Sequence, residues 1–245
     1  MGSGDWNDGM NRVGVQGSGE SVWMAWFLCD VLDRFAGLAE TVGDRETAAQ
    51  CKERVQSIAG SVEEHAWDGS WYRRAWYDDG TVIGGSQCEE AAIDSISQSW
   101  AVISGAADPE RSIMALDSAW EHLVLEQEKM VLLLSPPFED GARDPGYIKG
   151  YPPGVRENGG QYSHAAMWLA KAFAMAGDGD RAVRLLTWLN PIQHSLDPDS
   201  ARKYGTEPYA VAADVYRLDG HVGKGGWTWY TGAAGWMYRV WTEDI

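Results

Sequence analysis

Apolar residues recur three and four positions apart in a series of segments, and long glycine-rich, aromatic loops separate those segments. This alternation restricts the fold more than any other feature, because it calls for helices joined by connections too long and too ordered to be simple turns. From Glu20 to Ala39 the helical register carries Phe27, Leu28, Val31, Leu32, Phe35 and Leu38. Asp44 reads as the N-cap of a second helix with Ala48, Cys51, Val55 and Ile58 on one face. Further helices are predicted over Glu89 to Ser104, Pro109 to Gln127, Gln161 to Ala176 and Asp180 to Leu189, and a last one from near Trp229. Between the second and third, WDGSWYRRAWYDDGTVIG divides its aromatic residues with a DDG turn signal, so a short hairpin or ordered loop is expected from Trp67 to Ile83.

The stretch from Ser135 to Gly160 holds five prolines and six glycines and cannot be helical, and residues 190 to 226 are irregular again. Helical hairpins set in a ring gather such loops at one end, where they can line a pocket. The fold class expected is therefore all-α, part of an (α/α)6 toroid with long loops and a short β-hairpin. Residues 1–245 would form its C-terminal portion, since the chain opens on loop-like sequence and its seven predicted helices fall short of a full ring. A plain α-solenoid is the structural alternative, but no fixed repeat period is present.

Composition removes several function classes. A formal charge of −16 repels phosphate backbones and anionic membranes, so neither nucleic acid nor a membrane surface is an expected partner. Three cysteines far apart, with no paired Cys or His spacing, argue against a disulfide framework and a zinc site. No apolar run is long enough to span a bilayer and no signal-peptide pattern follows Met1, so a cytoplasmic protein is expected. Fourteen Trp and ten Tyr against four Phe favour rings that pair an apolar face with a polar handle, as sugar recognition requires. There is no GxxxxGK[ST], HExxH or GxSxG motif, and no organic cofactor or metal is expected.

Three segments concentrate chemistry. GDWNDGM places Asp5 and Asp8 around Trp6 in a loop, as glycoside cleavage by a protonated carboxyl beside an aromatic wall would need; a capping turn explains it equally. YPPGVRENGGQYSHAAMW packs Arg156, Glu157, Gln161 and His164 into nine residues that run into a helix, where free N–H groups favour an anion. GGWTWYTGAAGWMYRV puts Thr231 and Gly232 at a helix N-terminus with unencumbered amides. TEPYAVAADVY adds Glu207 and Tyr209, which could face a sugar, although packing is the plainer reading.

GSGDWNDGMNRVG, PPGVRENGGQYSHAAMW, LNPIQH, EPYAVAADVY and GGWTWYTGAAGWMYR, in this order and over nearly the whole chain, resemble the glycoside hydrolase family 94 phosphorylases. The wording is most similar to members that act on β-1,2-glucans, including 1,2-β-oligoglucan phosphorylase and the C-terminal region of cyclic β-1,2-glucan synthase. The resemblance covers the latter half of that family's catalytic barrel, without its N-terminal β-sandwich and first helices. It implies Asp8 as general acid, Trp6 and Glu157 at the sugar, and His164, Thr231 and Gly232 on phosphate. Asp5, Arg156, Gln161 and Tyr209 join the expected substrate-binding set. Ala213 stands where cellobiose-cleaving members carry glutamine six residues after the EPY glutamate, which argues against cellobiose.

The implied reaction is inverting phosphorolysis of a β-linked glucan: Asp8 protonates the departing oxygen while inorganic phosphate attacks the opposite face and yields α-glucose 1-phosphate. Phosphate is a co-substrate, and no second carboxylate is needed to activate water. The partners implied are an oligosaccharide, phosphate and the missing N-terminal part of the barrel, whose arginine would complete the anion site; homodimerisation is left open. Two alternatives stand beside this: an inverting hydrolase with Glu157 as base, and a non-catalytic or chain-length-controlling glucan-binding region of a synthase.

Overall fold

Helix α1, Val22–Thr41, is followed by α2, Arg45–His65, and the two form the first of three helical hairpins in the computed structural model, which describes residues 1, 4–229 and 231–245 and all of their side chains except that of Thr231. The second hairpin is α3, Ser95–Ser104, with α4, Pro109–Leu123, and the third is α5, Ser163–Met175, with α6, Gly179–Leu189. A short α7, Pro198–Tyr204, precedes α8, Thr231–Arg239, which continues as a π-helical turn over Val240–Asp244. Helices α1, α3, α5 and α8 pack side by side in that order, and α2, α4 and α6 back onto the helix before each. The described residues thus form a two-layered helical array, as expected.

Five of the six hairpin helices begin with a side-chain cap. Ser21, Asp44, Asp94, Asp108 and Asp178 accept from the first free N–H groups of α1, α2, α3, α4 and α6. Helix α5 has no such side-chain cap. The loops that precede the inner helices are tied by two-residue antiparallel pairings. Glu20–Ser21 pairs with Ala75–Trp76, which pairs with Val82–Ile83; Ile93–Asp94 pairs with Leu134–Ser135; Gln161–Tyr162 pairs with Asp214–Val215. These pairings put the hairpin around Arg74, the 135–160 loop and the 205–226 segment at the N-terminal ends of α1, α3 and α5.

Several expected boundaries move for this reason. Helix α3 starts at Ser95, not Glu89, because Ile93–Asp94 is drawn into a strand pairing and Ala91 takes a left-handed φ of 47°. Helix α4 stops at Leu123, since Val124–Leu125 turns into a hairpin with Met130–Val131. Within 190–226, Asp197 caps α7 with Pro198 at its first position and Gly205 in left-handed conformation at its end.

The core lies between the helix layers and is heavily aromatic. Trp26 and Phe173 are fully buried; Trp23, Trp100 and Trp168 are 5, 3 and 3% exposed and pack edge-on or stacked against one another. Much of the tryptophan excess is therefore spent on packing, which weakens its reading as a sugar signature. Most of the apolar residues noted at helical spacing in α1 are not the buried ones. Phe27, Leu28, Val31, Phe35 and Leu38 are 36–57% exposed, whereas Val22, Trp23, Trp26, Cys29, Ala36 and Ala39 are buried. Cys29 and Cys51 are buried free thiols, and burial pushes the Cys29 pKa up to about 11.

Candidate active site

The acidic loop at the start of the chain sends its two carboxylates to different environments. Asp5 is 5% exposed and accepts from the Asn7 backbone N–H at 3.0 Å, from the Ser21 hydroxyl at 2.5 Å and from Arg74 Nη2 at 2.5 Å. Ser21 is also the α1 cap, accepting from Met24 N at 3.3 Å. Arg74 is fully buried, and its Nε lies 3.4 Å from the Asp94 carboxylate, whose other oxygen caps α3 through Ile96 N at 2.8 Å. The Arg74 backbone is held as well: its N–H donates to Ile83 O and its carbonyl accepts from Val22 N. One guanidinium thus ties the acidic loop, the hairpin, α1 and α3 together. Asp5, expected at the sugar, has its carboxylate occupied by this buried network, and the sequence offered no signal for Arg74 or Asp94 beyond their presence.

Two buried carboxylates around one cation leave an excess negative charge. Burial foremost, with Asp5 adding to it and Arg74 opposing it, pushes Asp94 up to about 6. His164 moves oppositely: desolvation lowers it to about 4, so the imidazole is neutral near pH 7. For Asp94 the folded state holds its proton between about 3.8 and 6, so its contribution to stability falls as pH rises through that window. For His164 the unfolded state holds the extra proton between about 4 and 6.5, so stability rises with pH there. Each effect is on the order of 3 kcal/mol, and they oppose one another. The expected result lies in the difference in urea midpoint between wild type and an Asp94 variant from pH 4 to 6.5, where the falling Asp94 part is removed and the rising His164 part stays. Asp94→Asn, which retains a capping side chain, becomes more stable than wild type at pH 7 and gains a rising slope. A wild-type slope retained by the variant would contradict the assignment.

Asp8 is exposed at the head of the 3-10 turn Asp8–Met10, and one of its oxygens, Oδ1, accepts from the Tyr147 hydroxyl. Tyr147 opens the 3-10 turn Tyr147–Gly150 inside the long proline-rich loop. Glu157 lies near enough to act electrostatically on Tyr147 and pairs with Arg156 at 3.2 Å. Glu157 is 7% exposed. Arg156 takes a left-handed φ of 51°, donates its N–H to buried Asp214 at 3.2 Å, and lies over Trp227, Tyr151 and Tyr162 at 4.6, 5.2 and 6.0 Å. A non-glycine residue in that conformation is strained, and the surrounding contacts hold it there.

Trp6, two residues before Asp8, meets Tyr162, His164 and Trp168 at centroid distances of 5.3, 5.5 and 5.2 Å. His164 sits in the first turn of α5, and a Cβ placed on Gly232 would lie 3.2 Å from its Nδ1. The first turns of α5 and α8 therefore adjoin at the uncapped start of α5. The His164 Nε2 is buried and has no hydrogen-bond partner among the described residues. An unengaged buried ring nitrogen where two helix starts adjoin, one of them without a side-chain cap, forms a setting in which an oxyanion is favoured.

Of the predicted residues, then, Trp6, Arg156, Glu157, His164 and Gly232 are linked by direct contacts through Tyr162, and Asp8, bonded to Tyr147, lies in the field of Glu157 beside them. Thr231 begins α8, but its side chain lies outside the described parts. Gln161, expected at the sugar, is 2% exposed and its amide oxygen accepts from Val131 N at 3.0 Å, which braces the loop. Tyr209 is 70% exposed and 6.0 Å from Trp229, whose indole donates to Glu207 at 3.2 Å; these three form a surface group of their own. Sequence reasoning missed Tyr147, whose signal was only an aromatic residue after Gly146 in a loop too long to be idle.

No group of three or more His, Cys, Asp or Glu side chains suited to a metal is present among the described residues, and no helix there is long and apolar enough to cross a membrane. The family model described as "Glycosyl hydrolase 94 superfamily, catalytic domain" matches residues 1–245. Cyclic beta-(1,2)-glucan synthase NdvB of Rhizobium meliloti (strain 1021) is 48% identical over 99% of this chain and 8% of its own length. Solabiose phosphorylase of Paenibacillus borealis is 34% identical over 98% of this chain and 31% of its length; N,N'-diacetylchitobiose phosphorylase of Vibrio proteolyticus is 32% identical over 98% and 29%. The chain therefore spans less than a third of each of these relatives. Among solved structures, a wild-type glycosidase superposes with a TM-score of 0.59 at 16% identity, over 91% of this chain and 51% of the other, a likeness of fold. With the family model matched from the first residue to the last, the chain belongs to the glycosyl hydrolase 94 superfamily.

Proposed function

We propose that this chain carries the acid loop and part of the anion site of an enzyme that phosphorolyses β-linked glucose oligosaccharides with inversion, releasing α-glucose 1-phosphate. The observation that carries this is proximity: Tyr147 bonds the exposed carboxylate of Asp8 and lies in the field of Glu157, whose partner Arg156 leads over Tyr162 to Trp6 and the His164–Gly232 corner. Asp8 gives its proton to the glycosidic oxygen, the bond to the anomeric carbon breaks, and a phosphate oxygen bonds to that carbon from the other side. Phosphate held by His164, Thr231 and Gly232 is itself the nucleophile. Trp6, Arg156 and Glu157 hold the sugar. Neutral His164 donates a hydrogen bond to phosphate without an ion-pair partner of its own to displace.

Two relatives named as phosphorylases support phosphate over water as the attacking group. The pairing of Glu157 with Arg156 supports a binding carboxylate over one that activates water. The relative named as a cyclic β-(1,2)-glucan synthase supports a β-1,2 linkage, and it also favours a second reading, a glucan-binding segment that controls chain length without turnover. Three free cysteines suit a reducing, cytoplasmic setting.

The test is glucan cleavage by the full-length protein, on β-1,2-, β-1,3- and β-1,4-linked oligomers, with and without inorganic phosphate. The expected outcome is cleavage that requires phosphate, favours the β-1,2 series and produces α-glucose 1-phosphate. Free glucose released regardless of phosphate identifies a hydrolase. Oligomer binding with no turnover in either condition identifies the length-controlling reading.

A further inference from the structure

The acid loop and the proline-rich loop are fastened to each other at several points. Arg12 N donates to Pro145 O at 3.0 Å, Tyr147 N donates to Asn11 Oδ1 at 3.2 Å, and the Arg12 guanidinium pairs with Asp144. Gly146, at φ 128°, lets the two backbones touch: a Cβ there would overlap Asn11 Oδ1 and the Gly9 carbonyl. A Cβ on Gly9 would likewise come within 3.0 Å of Ile148 Cβ. Tyr147 is therefore carried on a backbone registered against the residues that flank Asp8. Its hydroxyl, on a ring that is 47% exposed, ends on Asp8 Oδ1 and not on the neighbouring Glu157 or Tyr151.

We propose that Tyr147 is the positioning residue of the general acid, holding Asp8 Oδ1 so that the transferable proton resides on Oδ2 and faces the glycosidic oxygen. This rests on the assignment of Asp8 as acid. With Asp8 protonated, Oδ1 is its carbonyl oxygen and accepts from the tyrosine. As the proton leaves Oδ2 for the departing sugar oxygen, the carboxylate becomes anionic and the same hydrogen bond turns charge-assisted. Tyr147 keeps its own proton throughout, and the bond is stronger at the transition state than before it, which is the condition for raising kcat rather than lowering KM. The other titratable groups facing this pair are Glu157, already paired with Arg156, and Tyr151; Arg12 and Asp144 neutralise each other alongside Tyr147.

The experiment compares kcat, KM and the pH profile of glucan cleavage for wild type, Tyr147→Phe, Asp8→Asn and the double variant, each as the full-length protein. Tyr147→Phe is expected to lower kcat on the order of tenfold with little change in KM. It also shifts the basic limb of kcat/KM to higher pH, because the anion loses its donor. On the Asp8→Asn background the same change is expected to add no further loss. An unmoved limb, or a full multiplicative loss in the double variant, overturns the positioning role and assigns Tyr147 to loop packing or sugar contact. Cleavage by hydrolysis instead of phosphorolysis would sink the proposed function while leaving this test intact; a wild type with no turnover of either kind overturns both.

Discussion

Asp8→Asn is expected to lower the rate of glucan phosphorolysis on the order of 10²- to 10⁴-fold, with KM for phosphate little changed. Asparagine matches aspartate in size and offers no transferable acidic proton, so the leaving sugar must depart as an alkoxide. The site is not otherwise disturbed: Asp8 is exposed, and its hydrogen-bond partner, the Tyr147 hydroxyl, finds a similarly placed acceptor in the amide oxygen. A glycoside whose leaving group is an activated phenol needs little protonation, and on it the variant should recover much of the wild-type rate. Steady-state kinetics on natural and activated substrates make the comparison. Equal losses on both would point to a damaged site and not to a missing acid.

Arg74→Met carries the largest expected cost in stability, about 3–5 kcal/mol, read as a lowered urea midpoint. The guanidinium is fully buried between Asp5 and Asp94, so its loss leaves two carboxylates enclosed without a countercharge. Methionine fills a similar volume, so the loss is electrostatic more than one of packing. Adding Asp94→Asn to Arg74→Met should restore part of the deficit, because one of the stranded charges is removed, and the pair should be non-additive. Additive effects would show that Arg74 acts through packing alone. Activity should fall as well, since Asp5 and Ser21 lose the anchor that joins the acid loop to α1.

The difference between Asp5 and Asp8 shows where sequence reading stops. Both stand in GDWNDGM, both are short carboxylates beside Trp6, and local spacing treats them alike. Only the arrival of Arg74, 69 residues away, takes Asp5 out of solvent. Gln161 was likewise placed at the sugar by its neighbours in RENGGQYSH, and its buried bond to Val131 is a pairing between loops that no local pattern encodes. His164 and Gly232 fared differently. Helix starts are local features, and the residues that make an oxyanion setting at a helix start are legible without the fold. That the first turns of α5 and α8 adjoin is long-range information.

The aromatic residues carry the same lesson. A Trp and Tyr excess is visible in composition, but whether an indole stacks on a sugar or on another indole depends on which helix comes to lie beside it. In α1 the apolar row of Phe27, Leu28, Val31, Phe35 and Leu38 promised a buried face, and the helix instead buries Trp23, Trp26, Cys29 and two alanines. Ala36 and Ala39 let α2 approach closely at Ala48 and Cys51, while Trp23 packs against Trp100 of α3. Run length and periodicity do not record such a preference.

What the sequence by itself determined is the set of local commitments: helical segments with the Asp44 cap, the aromatic hairpin after α2, loops too proline- and glycine-rich for helix, and the motifs that place the chain in its superfamily. Each depends on residues within a few positions of one another, where backbone sterics and hydrogen-bond reach act directly. What only the tertiary structure decided is which charged and aromatic groups share space: Arg74 with Asp5 and Asp94, Tyr147 with Asp8, Trp6 with His164. Those meetings depend on how helices stack and where loops land, and through them two chemically identical carboxylates became a buried anchor and an exposed acid.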